Sequence, residues 1–398
     1  MAADASEAGE RLVIVYGPEL GSYSFGEEHP LQPGRYQSTM SLLSMLGWLD
    51  APGLEIEPPR SAELQELLAV HSYPYVQAVG YAQAIAQGLR EPVDLSPYGL
   101  GTADNPLFGA IHDASALCAG ATIQAMTALL DERAIHAYNP AGGLHHAMRA
   151  RASGFCVYND CAAAIAVAVK AGRRVAYVDL DAHHGDGVQA AFYEDPRVLT
   201  VSIHESGRFL FPGTGAIDET GIGEGRGACV NVPLPATAGD DAILQAIERI
   251  VEPAVRCFAP DLLVAQTGCD THHSDPLTDL TATLPLFPQM AARLHRLAHD
   301  SCSGHWLIVG GGGYDPADVT PRAWTAFLGT VLGRETAGVE LPADWISASR
   351  RAGGDPPAYL LEDSGPGYDP LSDGDEPRLL ERIEDTALAE LRRRHGRG

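Results

Sequence analysis

Arg174-Val-Ala-Tyr-Val-Asp179-Leu-Asp181-Ala-His183-His184-Gly185-Asp186-Gly187 is an apolar run that turns abruptly into carboxylates and imidazoles. An uninterrupted apolar run of this length, rich in β-branched residues, predicts a strand buried on both faces. In extended backbone, residues two apart share a face, so Asp179, Asp181 and His183 project together where the strand ends. Ligands of open α/β sheets bind at the carboxyl ends of strands. Oxygen and imidazole donors at such a point suit zinc, and a set without thiolates suits a catalytic rather than a structural ion. Taken alone, Asp-x-Asp-x-His reads equally well as a solvated acidic turn.

The same design recurs along the chain. Leu262-Leu-Val-Ala-Gln-Thr-Gly-Cys-Asp270 delivers a carboxylate just past a glycine. Asn139-Pro-Ala-Gly-Gly-Leu-His145-His146 follows an apolar run at 134–138 with a tight turn and paired histidines. Trp306-Leu-Ile-Val-Gly310-Gly-Gly-Gly313-Tyr314 ends in four glycines and a tyrosine. Glycines allow close backbone approach, and no Lys-Ser/Thr pair follows to make a phosphate loop. Further apolar runs lie at 12–16 and 198–203, and Ala-rich helical stretches at 161–170 and 242–258. Strands alternating with helices predict an α/β fold, a mostly parallel sheet with helices on both faces.

Composition bounds the function. The 398 residues are 45% hydrophobic and 20% charged, enough for one large domain with a sizeable core. Acidic residues outnumber basic ones 52 to 27, a formal net charge of −25. That surface repels nucleic acid and anionic membranes and attracts cationic substrates. Seven scattered cysteines without a Cys-x-x-Cys pair give neither a disulfide framework nor a zinc knuckle. The opening MAADASEAGERLVIVYG places acidic residues before a short apolar run, unlike a signal peptide, and no apolar segment is long enough to span a bilayer. A cytoplasmic protein is expected. Residues 353–377 are crowded with Gly, Pro, Asp and Ser, and an amphipathic stretch at 379–394 follows. The expected division is a catalytic domain over 1–350 and a linker with a helical appendage over 351–398, the last helix docking back or remaining solvated.

Seven ordered blocks together resemble the histone deacetylase family. They are Pro140-Ala-Gly-Gly-Leu-His-His-Ala147, Gly154-Phe-Cys-Val-Tyr-Asn-Asp160, Asp179-Leu-Asp-Ala-His-His-Gly-Asp-Gly187, Phe211-Pro-Gly-Thr-Gly215, Asn231-Val-Pro233, Gly268-Cys-Asp270 and Gly310-Gly-Gly-Gly-Tyr314. Weaker matches begin at His29-Pro-Leu-Gln-Pro-Gly-Arg35 and end near Trp324. The Phe25-Gly-x-x-His-Pro opening and the 268–280 block look most like bacterial acetoin-utilisation deacetylases. The resemblance implies a single arginase/deacetylase-type domain that removes acetyl or other short acyl groups from lysine side-chain amines. It implies Asp181, His183 and Asp270 as zinc ligands. His145 and His146 would handle protons, with Asp179 and Asp186 behind them, and Tyr314 would donate to the carbonyl oxygen. Gly154, Phe155 and Phe211 would line a narrow tube, with Leu277 near its rim and Asp104 at its mouth. A potassium ion would use Asp179, Asp181, His183, Ser202 and Ile203. Arg35 would face an internal channel for the released acid.

Other readings are open to test. A small acylated polyamine has the same reacting bond and, as a cation, suits an acidic protein. A manganese ureohydrolase of the arginase kind needs a two-metal carboxylate cluster, which paired histidines and the glycine–tyrosine block fit poorly. A silent acyl-lysine binding module should have lost a ligand or the tyrosine, and none is lost. His184 is expected to be structural, His272 and His273 to be either loop residues or substrate contacts, and His71, His112, His136, His295, His299, His305 and His395 to be structural. Cys156 and Cys269 are expected to be small core residues.

Overall fold

The computed structural model describes residues 10–363, 365 and 376–396. Its centre is one eight-stranded sheet in which every pairing is parallel. In chain order the strands are β1 (Leu12–Val15), β2 (Leu54–Glu57), β3 (His136–Asn139), β4 (Val175–Asp179), β5 (Val198–Glu205), β6 (Cys229–Leu234), β7 (Leu262–Gln266) and β8 (Trp306–Val309). Across the sheet they run β2-β1-β3-β8-β7-β4-β5-β6.

Six of these strands coincide with the apolar runs, and all six are buried along their whole length. The two that the runs do not predict, β2 and β6, are the two edges. An edge strand is spared the demand for apolar residues on both faces and tolerates charge and proline. Accordingly β2 reads Leu-Glu-Ile-Glu, and β6 carries Asn231 and Pro233.

Helices bury the sheet. Ile111–Leu130 packs on β1, β3 and β8 and against Asp160–Lys170, whereas Leu286–Cys302 packs on β7 and β8 and against Val319–Val331. The Asp160–Lys170 helix starts where the Asn159 side chain accepts from Ala162 N at 2.8 Å, a capping bond that satisfies an orphan backbone donor. The 242–258 stretch is helical throughout, with a π turn at Ile247–Val251.

The end of the chain returns to the sheet. The helices Glu376–Ile383 and Ala389–His395, joined by a π turn, lie against β6 and against the helix Glu252–Phe258. Leu380, Ile383, Ala387, Leu388 and Leu391 are fully buried there, and Arg249 donates twice to Glu384, at 2.9 and 3.0 Å. Among the described residues no helix is long and apolar enough to cross a membrane.

The register of the central strands builds a platform. Asn139 of β3 pairs with Val309 of β8, Val309 with Gln266 of β7, and Gln266 with Asp179 of β4, itself level with Ser202 of β5. Four strands therefore end at one level while β5 runs three residues beyond it, and the loops that leave the four meet above it.

Candidate active site

The loop after β4 brings Asp181 and His183 to Asp270 from the loop after β7, all three buried. Each carboxylate is anchored by one oxygen and presents the other. Asp181 Oδ2 accepts from Gln266 Nε2 and from Gly312 N, both at 2.6 Å. Asp270 Oδ1 accepts from Ala182 N at 2.9 Å. The other oxygens, Asp181 Oδ1 (which also accepts from His183 N at 3.0 Å) and Asp270 Oδ2, lie 3.1 and 2.9 Å from His183 Nδ1. Glycine is required around them, because a Cβ at Gly268 would overlap Asp181 Oδ2 and one at Gly312 would overlap Asp270 Oδ2.

Donor atoms from these three residues all lie within 4.8 Å of one another. One imidazole and two carboxylates, without a thiolate, fit a zinc ion that keeps a position open for substrate. The electrostatics agree. Burial and the neighbouring Asp181 charge push Asp270 up to about 8, since two dehydrated carboxylates side by side call for a cation.

The paired histidines stand beside this trio on the loop after β3. Asp160 holds that loop by accepting from Gly143 N at 3.0 Å and Leu144 N at 2.7 Å. Asn159 Nδ2 donates to the carbonyls of His145 and Ala147 at 3.0 and 3.1 Å. His145 Nδ1 lies 2.8 Å from Asp179 Oδ2, and His146 Nδ1 lies 2.7 Å from Asp186 Oδ1. A carboxylate on Nδ1 fixes the tautomer and aims Nε2 into the site. The two Nε2 atoms are 3.0 Å apart. Burial opposes charge on both rings, but the Asp179 and Asp181 carboxylates lift His145 to about 9. Burial and then the His145 charge drive His146 well below the usual imidazole range. The pair thus takes its first extra proton on His145 and leaves His146 neutral.

The glycine run after β8 delivers Tyr314. Its backbone N–H donates to Asp275 Oδ2 at 2.9 Å, and the other oxygen of Asp275 accepts from Leu277 N at 3.0 Å. One carboxylate therefore ties the tyrosine to Leu277. Burial, with the nearby charges of Asp270 and Asp181, raises the Tyr314 phenol far above its ordinary range, so it stays a donor.

Aromatic side chains close over the centre. The Phe211 ring meets His146 edge-on with centroids 5.0 Å apart, and a Cβ on Gly154 would overlap both rings. The Phe155 ring meets Tyr314 at 5.8 Å and His29 at 4.5 Å. Gly154 and Phe155 both have left-handed backbone, φ +50° and +66°, a conformation that costs a phenylalanine roughly 1 kcal/mol or more. Tyr23 OH helps hold it by donating to the Phe155 carbonyl at 2.7 Å. His29 also donates from Nε2 to the Asp104 carbonyl at 3.3 Å, which places exposed Asp104 one residue beyond the aromatic wall. Asp179 and Ser202 are level on adjacent strands with Ile203 next, and Glu205 N donates to Ala182 O at 2.9 Å, so the five residues of the expected potassium set are neighbours.

Several side chains do work that the motifs do not announce. Gln266 orients Asp181, and Tyr177 OH donates to Asp179 Oδ2 at 2.6 Å. Tyr177 lies two residues before Asp179, so strand periodicity was a usable signal. Gln266 is the one polar residue of its strand, standing at its end. Asp275 has no signal beyond its place in the loop. His184 uses both nitrogens on Thr214 and Gln189, at 2.7 and 2.9 Å, and is structural. His272 and His273 both lie 2.8 Å from the carboxylate of Asp363, which also accepts from Leu284 N. Buried Arg35 donates to the Gly313 carbonyl at 2.9 Å and lies over Tyr36 and Trp324. Burial raises the Cys156 and Cys269 thiols well above their ordinary range, as befits core residues.

The histone deacetylase domain pattern matches residues 29–331. "Acetoin utilization protein AcuC" of Bacillus subtilis (strain 168) is 44% identical over 335 residues, 84% of this chain and 85% of that protein. The protein of that name from Staphylococcus aureus (strain MRSA252) is 37% identical over 338 residues, covering 85% and 86%. Its Staphylococcus xylosus counterpart is 36% identical over 334 residues, covering 84% and 86%. With this match spanning the strands that carry the site, the chain belongs to the histone deacetylase family, in its acetoin-utilisation group.

Proposed function

We propose that this chain is a zinc-dependent deacetylase that removes acetyl or other short acyl groups from lysine side chains of proteins or peptides. The observation that carries it is the convergence of Asp181, His183 and Asp270 with two histidine–aspartate pairs and a protonated tyrosine beneath an aromatic entrance. Asp181, His183 and Asp270 hold the ion. Zinc there would acidify water and polarise the amide carbonyl.

The protein's own groups do the rest. His146, oriented by Asp186, takes a proton from the attacking water at Nε2. His145, charged against Asp179, stabilises the developing negative charge and serves the leaving amine. Tyr314 OH donates to the carbonyl oxygen, a contribution worth roughly 10²–10³ in rate. Gly154 leaves open the side of the passage that Phe155 and Phe211 wall, and Leu277 sits at its rim, so a slender unbranched chain is what fits. Asp104 accepts from the substrate backbone. Asp179, Asp181, His183, Ser202 and Ile203 would hold a potassium ion.

The net charge of −25 supports a cationic or neutral substrate and no direct hold on nucleic acid. The name of the relatives adds the context of acetoin use. A small acylated polyamine is the second reading, favoured by the same charge. Asp181→Ala is expected to abolish amide hydrolysis and lower bound zinc by about one ion per chain with the fold retained. Exhaustive chelation should do the same to the wild-type chain, and added zinc should restore it. Full turnover by the metal-free protein would overturn the zinc reading.

A further inference from the structure

The end of the sheet opposite this centre holds a second convergence of donors. Glu10 precedes β1, His136 opens β3, and His295 and His299 lie one turn apart on the helix Leu286–Cys302, so they share a face. His136 Nε2 is 3.0 Å from Glu10 Oε2 and 3.0 Å from His295 Nε2. His295 Nε2 is 2.9 Å from Glu10 Oε2 and 3.1 Å from His299 Nε2. His299 Nε2 lies 3.1 Å from Glu10 Oε1. All four donors fall within 4.8 Å of one another.

Hydrogen bonds alone serve this cluster badly. Each neutral Nε2 has either one hydrogen or one lone pair, yet His295 Nε2 faces two imidazole nitrogens and a carboxylate oxygen at once. A cation in the middle satisfies every lone pair together. Bonds of about 2.0–2.1 Å to a tetrahedral ion place neighbouring ligand atoms roughly 3.3–3.4 Å apart. The spacings of 2.9–3.1 Å are a few tenths of an ångström tighter, and Glu10, His295 and His299 are free enough at the surface to open by that much. A cavity of about 370 Å³, lined by Glu10, Ala292, His295, Arg296, His299 and Thr330, gives access from solvent.

We propose that Glu10, His136, His295 and His299 form a second metal site, taking a divalent transition ion of the zinc class. Three imidazoles and one carboxylate suit zinc, cobalt, nickel or copper rather than magnesium or calcium. Four protein donors fill a tetrahedral shell, so the site is structural and not catalytic. It clasps the approach to β1, the start of β3 and a helix some 290 residues further along the chain than Glu10. Burial lowers His136 to about 4, and His295 is lowered from the same chief cause, so their lone pairs are free for an ion at neutral pH.

The test separates the two sites by stoichiometry. Full-length chain is demetallated, reloaded with zinc, freed of excess and assayed for bound metal. About two ions per chain are expected for wild type, about one for Asp181→Ala, and about one for His295→Ala/His299→Ala, which should keep its deacylase activity. Cobalt added to demetallated Asp181→Ala should develop the visible absorption of a tetrahedral ion, absent once His295 and His299 are also replaced. Glu10→Gln, at an exposed position, should weaken that cobalt binding about tenfold or more without a change in circular dichroism. Equal zinc in wild type and the double histidine variant, or no metal bound by Asp181→Ala, overturns the proposal. Neither outcome touches the deacetylase reading, which rests on activity and on the Asp181 ion.

Discussion

Tyr314 and the glycines around it show how narrow the tolerances of this centre are. In the proposed mechanism the tyrosine hydroxyl acts only once negative charge grows on the carbonyl oxygen, so its contribution would belong to the transition state. Tyr314→Phe is therefore expected to lower kcat by about 10² or more with little change in ground-state binding. Turnover close to wild type would assign the oxyanion to another donor. Gly312 and Gly80 make a second contrast. A Cβ at Gly312 runs into Asp270 Oδ2, whereas one at Gly80, within the helix Tyr73–Ala86, meets nothing within 4 Å. Gly312→Ala should cost the chain its catalytic ion and at least tenfold in activity. Gly80→Ala should leave both alone and raise stability by about 0.5–1 kcal/mol, because alanine loses less backbone entropy in a helix. Denaturant melts and metal analysis of the two variants check this directly.

Single carboxylates tie the elements of the site to one another. Asp160, at the head of its helix, fixes the histidine loop, Asp275 couples Tyr314 to Leu277, and Asp363 bridges His272 and His273. The C-terminal helices are attached differently, by burying five apolar side chains against β6 and the helix Glu252–Phe258. We propose that they remain an appendage in function, since none of the site residues comes from them. A chain ending at residue 363 keeps the Asp363 bridge. It is expected to load zinc and turn over small acyl-lysine substrates almost normally. Its Tm should fall by roughly 5 °C or more, because each buried Leu or Ile contributes about 1.5–3 kcal/mol against the cost of ordering the helix. Loss of zinc or turnover in that truncated chain would make the last helices part of the catalytic domain.

Across the whole molecule the net charge is −25, and charge alone does not choose between substrates, whereas the place proposed for Asp104 at the edge of the entrance can. A peptide offers backbone N–H groups that the Asp104 carboxylate can accept as charge-assisted bonds. A polyamine offers only a second ammonium ion. Acetyl-lysine peptides are expected to exceed acetylated polyamines in kcat/KM, and Asp104→Ala to penalise the peptides more, by about 1.5–3 kcal/mol. Better turnover of polyamines, or an equal effect of the substitution on both classes, would favour the small-amine reading.

What the sequence determined by itself were the features written into consecutive residues. Buried strands of a parallel sheet are apolar on both faces, so six of them stood out as runs, and the chemistry sat where four of those runs ended. Asp181, His183, Asp270, the paired histidines and Tyr314 were legible because strand ends in such a sheet are where ligands bind. Edge strands obey no such demand, and β2 and β6 left no comparable trace. Only the tertiary structure decided which strand ends are neighbours; it sets at 2.8 and 2.7 Å the contacts of Asp179 with His145 and Asp186 with His146, pairs that the resemblance implied. Gln266, Tyr177 and Asp275 are ordinary residues until register and loop path bring them to Asp181, Asp179 and Tyr314. The same holds for His136, His295 and His299. His136 lies more than a hundred residues from the other two and none of the three carries a motif, so they read as structural, and the β1–β3 pairing and one helix face gather them around Glu10. Local pattern encodes burial, which each residue experiences along its own strand, whereas a binding site is a set of long-range distances that exists only once the chain has closed.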